Sequence, residues 1–133
     1  MVNKSLNILL IEDNPADARW ILEVFKDMDI KSDLHIVKDG IEAMDYLNRK
    51  KSFKNVPEPD IILLDLSLPR MDGFEVLKKI KNDKDLKSMP VVVITASDYP
   101  NDINEAYKNC ANYYISKPVD FDMVNKILHC VEA

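Results

Sequence analysis

Glycine is scarce in this sequence, which has only Gly40 and Gly73 among its 133 residues. A loop that cradles the phosphates of a nucleotide or a flavin uses several glycines close together, because its backbone must approach the ligand closely. Two isolated glycines supply no such loop. The sequence therefore argues against a flavin or nucleotide carrier.

Cysteine is equally scarce. The two cysteines, Cys110 and Cys130, lie in stretches of helical character and have no CxxC spacing. Disulfide scaffolds and thiolate metal sites need more cysteines or closer ones. We predict two reduced structural thiols and no metal bound by cysteine.

Long apolar runs and an excess of positive charge are also missing. The first apolar run begins at Leu6 and stops at Glu12, which is too short for a signal-peptide core or a membrane span. The net charge is −5 and the isoelectric point is near 5.0, so the chain is a poor ligand for nucleic acids and for anionic membranes. We expect a cytoplasmic location and neither of those partners.

The composition is that of one globular domain over residues 1–133, with 47% apolar and 31% charged residues. Five short apolar runs recur along the chain and are typical of strands buried on both faces. These runs are Leu6–Ile11, Leu34–Val37, Asp60–Leu64, Val91–Ile94 and Asn112–Ile115.

Amphipathic helices are predicted to follow each run. The first has Asn14 as its N-cap and Pro15 as its first residue, Pro100 opens the fourth, and Asp120 caps the fifth. Apolar stripes at helical spacing mark one face of each helix and predict that this face is buried. The stripe of the fourth helix consists of Ile103, Ala106, Tyr107 and Cys110. A strand followed by a helix, five times over, predicts an α/β fold with a parallel sheet covered by helices on both faces.

Ligands bind such open sheets beyond the carboxyl ends of the strands. Glu12 and Asp13 follow the first predicted strand, Asp65 follows the third, Thr95 the fourth and Lys117 the fifth. Three carboxylates that converge repel one another, and they cannot all stay ionised unless a cation joins them. A set of oxygen donors without His or Cys indicates a hard ion, Mg²⁺ before Zn²⁺.

The same groups suit phosphoryl transfer, which needs positive charge and hydrogen-bond donors around three phosphoryl oxygens. Mg²⁺ and Lys117 supply the charge, and Thr95 supplies a hydroxyl donor. A carboxylate can act as a nucleophile and form an acyl phosphate. We predict that Asp65 is this nucleophile, because the central strand places it between the other carboxylates and Lys117.

Four segments together resemble the receiver domain of response regulators, a family with a flavodoxin-like, doubly wound, five-stranded parallel sheet. The segments are ILLIEDN (8–14), ILLDLSLPRMDG (62–73), VVVITAS (91–97) and YYISKPVD (113–120), and the likeness extends from Leu6 to Val131. Each segment alone is modestly specific. All four in this order and at these spacings are highly specific.

The resemblance implies a phospho-acceptor and a set of metal ligands. Asp65 accepts the phosphoryl group. Asp13 binds Mg²⁺ directly and Glu12 binds it through a water molecule. The backbone carbonyl of Ser67 completes the protein's ligands to the ion.

The resemblance also implies residues that respond to the phosphoryl group. Lys117 pairs with it, and a cis peptide bond joins Lys117 to Pro118. Thr95 binds a phosphoryl oxygen and moves on activation. Tyr114, three residues before the lysine, occupies the aromatic switch position.

Other segments, among them DNPADARWIL and SDYPNDINEAY, resemble the single-domain regulators that partner phytochrome-type sensor kinases. This implies a stand-alone response regulator that takes its phosphoryl group from a phosphohistidine on a sensor kinase or a phosphotransfer protein. Such a protein is not an enzyme toward other substrates and catalyses only its own phosphorylation and dephosphorylation. No segment follows the fifth predicted helix, so we expect output through a downstream protein or a homodimer.

Other functions stay open at this point. A receiver fold can serve as an unphosphorylated interaction module or as a phosphate sink. A magnesium-dependent phosphatase with an aspartyl nucleophile usually carries a second Asp two residues after the first, where this chain has Ser67. The kinase, the stimulus, the target, the lifetime of the acyl phosphate and the oligomeric state do not follow from the sequence.

Overall fold

The computed structural model describes residues 5–28, 31–96 and 99–132, and the side chains of these residues as far as Leu128. Over these residues five strands alternate with five α-helices, as the sequence predicts. The strands are β1 (Leu6–Ile11), β2 (Ser32–Val37), β3 (Ile61–Leu64), β4 (Val91–Thr95) and β5 (Tyr113–Ser116). The helices are α1 (Pro15–Lys26), α2 (Gly40–Leu47), α3 (Gly73–Lys81), α4 (Pro100–Lys108) and α5 (Phe121–Glu132). None of the helices described here has the length and apolar character needed to cross a membrane.

All five strands are parallel and form one sheet of order β2-β1-β3-β4-β5. The chain passes from β1 to the β2 edge and then crosses back to β3, so the strand order reverses between β1 and β3. Ile11 pairs with both Val37 and Leu64, and Thr95 pairs with Ser116. This register aligns the carboxyl ends of the strands along one edge. The predicted flavodoxin-like, doubly wound sheet is confirmed.

Both faces of the sheet are buried, which is why its strands appear in the sequence as continuous apolar runs. Leu9 and Ile11 of β1 belong to the core formed with α2, α3 and α4, whereas Ile8 and Leu10 belong to the core formed with α1 and α5. All four side chains are at most 1% exposed. Two apolar layers therefore fix the strand ends that carry the polar residues.

Side-chain caps set the start of the first and last helices. Asn14 Oδ1 accepts hydrogen bonds from the N–H groups of Ala16 at 2.9 Å and Asp17 at 3.1 Å. Asp120 Oδ1 accepts a hydrogen bond from the N–H of Met123 at 2.9 Å. Both caps are the predicted ones, and each satisfies backbone donors that the helix itself leaves unpaired.

The fourth helix is shorter than its predicted apolar stripe. It ends at Lys108, and Cys110 lies beyond it as an exposed free thiol with a φ of 71°. The side chain of Asn109 donates a hydrogen bond to the carbonyl of Glu105 at 2.8 Å, a local bond that competes with continuation of the helix. Tyr107 is 44% exposed, so the prediction of a buried stripe is wrong at Tyr107 and Cys110. Ser97 and the side chain of Cys130 lie outside the described residues.

Candidate functional site

Carboxylates from two neighbouring strands meet at the carboxyl edge of the sheet. Glu12 and Asp13 follow β1, and Asp65 follows β3, where its N–H donates a hydrogen bond to the carbonyl of Ile11 at 3.0 Å. One carboxylate oxygen from each of the three residues lies within 4.8 Å of the other two. The structure thus brings together the three carboxylates that the sequence predicts to converge.

The three carboxylates differ in exposure. Glu12 is 2% exposed and Asp65 is 4% exposed, whereas Asp13 is open to solvent. Glu12 Oε2 accepts a hydrogen bond from the N–H of Asn14 at 3.2 Å, and Asp65 Oδ1 accepts one from the N–H of Ser67 at 3.1 Å. Backbone N–H groups therefore hold the carboxylates of Glu12 and Asp65 in place, whereas the carboxylate of Asp13 is exposed to solvent.

Lys117 reaches these carboxylates from the end of β5. Its Nζ lies 2.6 Å from Glu12 Oε1 and 3.1 Å from Asp65 Oδ2. Its backbone N–H donates a hydrogen bond to the carbonyl of Thr95 at 2.8 Å, and the Lys117–Pro118 peptide bond is cis, as predicted. Because the backbone is held to β4, the ammonium extends into the acidic cluster rather than into solvent.

Asp17 is a residue of the site that the sequence interpretation missed. Its Oδ2 accepts a hydrogen bond from Lys117 Nζ at 2.8 Å. Asp17 is an acidic residue in the first turn of α1, and this helix begins at Pro15, two residues after Asp13. The predicted start of the helix beside the acidic cluster is the signal that could have placed Asp17 near it.

The pKa values of Glu12 and Lys117 are both raised. The change favours the neutral form of the glutamate and the charged form of the lysine. Burial raises the pKa of Glu12 from 4.5 to about 7, the nearby Asp65 carboxyl adds to the rise, and Lys117 opposes it. Burial alone would lower the pKa of Lys117, but the carboxylates of Asp17, Glu12 and Asp65 raise it above its ordinary value. The lysine is therefore charged at neutral pH, while Glu12 is harder to ionise than an ordinary glutamate.

The residues present fit a hard divalent cation. Glu12 Oε1 is fully buried, and the Lys117 ammonium 2.6 Å away is its neighbour of opposite charge. Asp13 and Asp65 add two more carboxylate oxygens within 4.8 Å. An all-oxygen donor set with surplus negative charge is the chemistry that Mg²⁺ prefers. Asp13, Asp65, Glu12 and the carbonyl of Ser67 are the groups that could hold it.

The two predicted switch residues lie on one face of the sheet. Thr95 is the last residue of β4 and is 2% exposed. It shares its face of β4 with Val93, because side chains alternate along a strand, and Val93 pairs with Tyr114 on β5. Tyr114 is half-buried against the core that includes α4. Thr95 therefore adjoins the acidic edge, and Tyr114 lies below it toward α4.

A groove of about 490 Å³ opens beside the site between α1 and the segment after β5, bordered by Trp20 and Lys117 among others. The Trp20 indole is 51% exposed, and its Nε1–H donates a hydrogen bond to the carbonyl of Val119 at 2.7 Å. Trp20 is therefore a partly exposed residue that packs against the segment after β5.

Residues 8–129 match the protein family described as the response regulator receiver domain. The chain is 41% identical over 126 residues to the response regulator Rcp1 of Synechocystis, covering 95% of this chain and 86% of Rcp1. It is 30% identical over 115 residues to the polar-differentiation response regulator DivK of Brucella anthropi, covering 85% of each chain.

Solved structures of similar chains give the same fold. The phosphorylated cyanobacterial phytochrome response regulator RcpA matches with a TM-score of 0.83 and 40% identity, covering 97% of this chain and 92% of that one. The Mn²⁺-bound form of Rcp1 matches with a TM-score of 0.81 and 41% identity, covering 96% and 91%. The bacteriophytochrome response regulator AtBRR matches with a TM-score of 0.86 and 34% identity, covering 97% and 94%.

Glu12 should make the stability of the metal-free protein fall as the pH rises. Its pKa is about 7 in the fold against 4.5 for an unperturbed glutamate, so between these values the folded state binds more protons than the unfolded state. The free energy of unfolding therefore decreases through this window, by at most roughly 3 kcal/mol. We predict that Glu12→Gln removes this decrease in urea unfolding measured from about pH 5 to about pH 8 without divalent ions.

Glu58→Gln, at an exposed glutamate far from the cluster, serves as the control and should keep the wild-type pH dependence. A Glu12→Gln protein with the same pH dependence as the wild type would contradict the raised pKa.

Proposed function

This chain belongs to the response regulator receiver domain family, and from that premise we propose that it is a stand-alone phospho-acceptor switch of a two-component phosphorelay. The observation that carries the proposal is the position of Asp65. Its buried carboxylate lies within 4.8 Å of Glu12 and Asp13 and 3.1 Å from the Lys117 ammonium. It follows β3, the strand between β1 and β4, so residues after both neighbouring strands surround it.

In the proposed reaction, an oxygen of Asp65 attacks the phosphorus of a phosphohistidine. The P–N bond breaks and its electron pair returns to the imidazole nitrogen, while the new P–O bond makes Asp65 an acyl phosphate. The N–H of Ser67, 3.1 Å from Oδ1, keeps the carboxylate oriented. The Lys117 ammonium is already 3.1 Å from Oδ2, close enough to bind a phosphoryl oxygen attached there.

The metal ligands in this proposal are Asp13, Asp65 and the carbonyl of Ser67, with Glu12 acting through water. Bound Mg²⁺ would supply positive charge to the phosphoryl oxygens during transfer. The all-oxygen cluster supports this assignment. So does the Mn²⁺-bound structure of the relative Rcp1, which is 41% identical.

The proposed switch runs from Thr95 to the surface of α4, β5 and α5. The Thr95 hydroxyl binds a phosphoryl oxygen on Asp65 and moves toward it. Tyr114, on the same face of the sheet, follows into the space left behind. Phosphorylation thereby shifts the population between two surface states, because only one of them makes the new hydrogen bond.

The partners in this proposal are a sensor histidine kinase or a phosphotransfer protein as donor, and a downstream protein or a second copy of the chain as the reader of the changed surface. Two similar structures are of phytochrome response regulators, RcpA and AtBRR by name, which supports a phytochrome-type kinase. We place the protein in the cytoplasm, where such kinases present their phosphohistidine. Its only reactions are its own phosphorylation and dephosphorylation.

Phosphorylation by a small donor tests the chemistry. We expect acetyl phosphate with Mg²⁺ to add one phosphoryl group to the wild type. The reason is that Asp65 and the groups around it need only a donor of the phosphoryl group and a divalent cation. Asp65→Asn should gain none, since it lacks the nucleophile. Asp85→Asn, at an exposed aspartate near the opposite edge of the sheet, should behave as the wild type. Intact-mass spectrometry with and without Mg²⁺ reads all three.

A gain that persists in Asp65→Asn would refute Asp65 as the acceptor. No gain in any protein would favour the unphosphorylated interaction module.

Substitutions of Thr95 test the proposed switch separately from the phosphoryl transfer. We expect Thr95→Ala to accept the phosphoryl group but to lose the phosphorylation-dependent shift in the NMR signals of the Tyr114 ring, because the hydroxyl that transmits the change is gone. Thr95→Ser keeps a hydroxyl and should restore the shift in part. An unchanged shift in phosphorylated Thr95→Ala would disprove the coupling, and no shift in the phosphorylated wild type would favour a phosphate sink.

A further inference from the structure

The connection from β3 to α3, residues 65–72, contains a strained turn. The N–H of Met71 donates a hydrogen bond to the carbonyl of Pro69 at 2.7 Å. This bond makes Arg70 the centre of a γ-turn, and its φ is 67°. A γ-turn with a positive central φ is rare and strained for a residue that carries a side chain. Backbone of this kind persists only where its surroundings hold it, and it is concentrated at functional sites.

An ion pair joins this turn to the start of α2. Arg70 Nη1 lies 3.2 Å from Asp39 Oδ2. Asp39 is 8% exposed, and its other oxygen accepts a hydrogen bond from the N–H of Glu42 at 2.8 Å. Asp39 thus caps α2 with one oxygen and holds Arg70 with the other. Because the helix fixes the carboxylate, the guanidinium is tied to a stationary partner.

Close backbone approaches leave the loop little freedom on either side of Arg70. A Cβ on Gly40 would lie 2.5 Å from Met71 Cβ and 2.6 Å from the Met71 carbonyl oxygen. A Cβ on Gly73 would lie 2.5 Å from the carbonyl oxygen of Asp65. The N–H of Gly73 also donates a hydrogen bond to the carbonyl of Leu66 at 3.1 Å. Any change at the turn is therefore passed to the backbone that follows Asp65.

We propose that Arg70 is a positioning residue, whose ion pair with Asp39 holds the γ-turn and so fixes the backbone of Ser67 against Asp65. The N–H of Ser67 binds Asp65 Oδ1 at 3.1 Å, and its carbonyl is a metal ligand in the proposed function. The inference rests on that proposed function, because the orientation of the Ser67 peptide matters for a cation and a phosphoryl group. Without the ion pair, the strained turn relaxes and this peptide loses its fixed orientation.

Arg70→Gly tests the positioning role of Arg70 separately from its effect on the stability of the fold. Glycine adopts a positive φ without strain but populates other backbone conformations just as readily. The substitution therefore removes the ion pair and leaves the turn unheld, without adding strain to the folded state. Lys51 provides a matched control. Lys51 also has a positive φ, 57°, and its ammonium lies 3.1 Å from Asp45, whose side chain is 18% exposed. Unlike Arg70, it lies in the short 3-10 helix Lys51–Phe53 before β3. Lys51→Gly removes an equivalent pair far from the carboxyl edge.

We expect Arg70→Gly to unfold in urea at no lower concentration than Lys51→Gly does. It should nevertheless bind Mg²⁺ about tenfold more weakly by calorimetry, at the lower end of the loss that supporting residues around metal ligands produce. The Ser67 amide should exchange with solvent faster in the metal-free protein. Asp39→Asn keeps an acceptor for the helix cap and should show the same losses, and Arg70→Lys should recover part of them.

Failure of the positioning role and failure of the proposed function give different results. Wild-type Mg²⁺ affinity and wild-type Ser67 exchange in Arg70→Gly would overturn the positioning role, as would additive losses in the Arg70→Gly/Asp39→Asn double variant, because partners in one interaction can lose it only once. Equal weakening in Lys51→Gly would also overturn it. A wild-type protein that neither binds Mg²⁺ nor takes a phosphoryl group on Asp65 would instead remove the proposed function, and this inference with it.

Discussion

The Lys117 ammonium touches three carboxylates at once, and the polar edge of the sheet depends on that contact. Its Nζ lies 2.6 Å from Glu12, 2.8 Å from Asp17 and 3.1 Å from Asp65. Charges of one sign at such separations repel strongly where water is largely excluded. The lysine can act as their counter-charge because its backbone is hydrogen bonded to Thr95 at 2.8 Å, so the side chain is aimed at the cluster by the sheet itself.

One ammonium does not balance the negative charge around it. Burial is the main cause of the rise in the pKa of Glu12 to about 7, and the excess negative charge contributes to it through the nearby Asp65 carboxyl. The same excess makes the edge a favourable place for a divalent cation. A feature that weakens the metal-free fold thus favours binding of the divalent cation that the proposed phosphoryl transfer uses.

The parts of the structure that follow from local pattern were predictable. β1 occupies Leu6–Ile11 as expected, and Glu12, Asp65 and Lys117 converge because parallel strands bring their carboxyl ends to one edge. The Asp17–Lys117 contact spans 100 positions in the sequence and the Arg70–Asp39 contact spans 31. Asp17 lies in a helix and Arg70 in a loop, so the strand-end argument that brings Glu12, Asp65 and Lys117 together does not by itself reveal either contact. The positive φ of Arg70 could not be predicted either, because nothing in the sequence marks a γ-turn at an arginine.

The position of Cys110 was predicted wrongly, because an apolar stripe does not reveal where hydrogen bonding ends a helix.

The central claim, that Lys117 is the counter-charge of the acidic cluster, is tested most directly by the Mg²⁺ dissociation constants of the wild type and Lys117→Met. Calorimetry at one ionic strength and at about pH 8, above the Glu12 pKa of about 7 in the wild type, gives both values. Loss of the ammonium removes one positive charge from the cluster. The folded variant should therefore bind Mg²⁺ at least about fivefold more tightly, since a unit charge a few ångströms away changes the binding free energy by more than about 1 kcal/mol. Unchanged or weaker Mg²⁺ binding by the folded variant would contradict the claim.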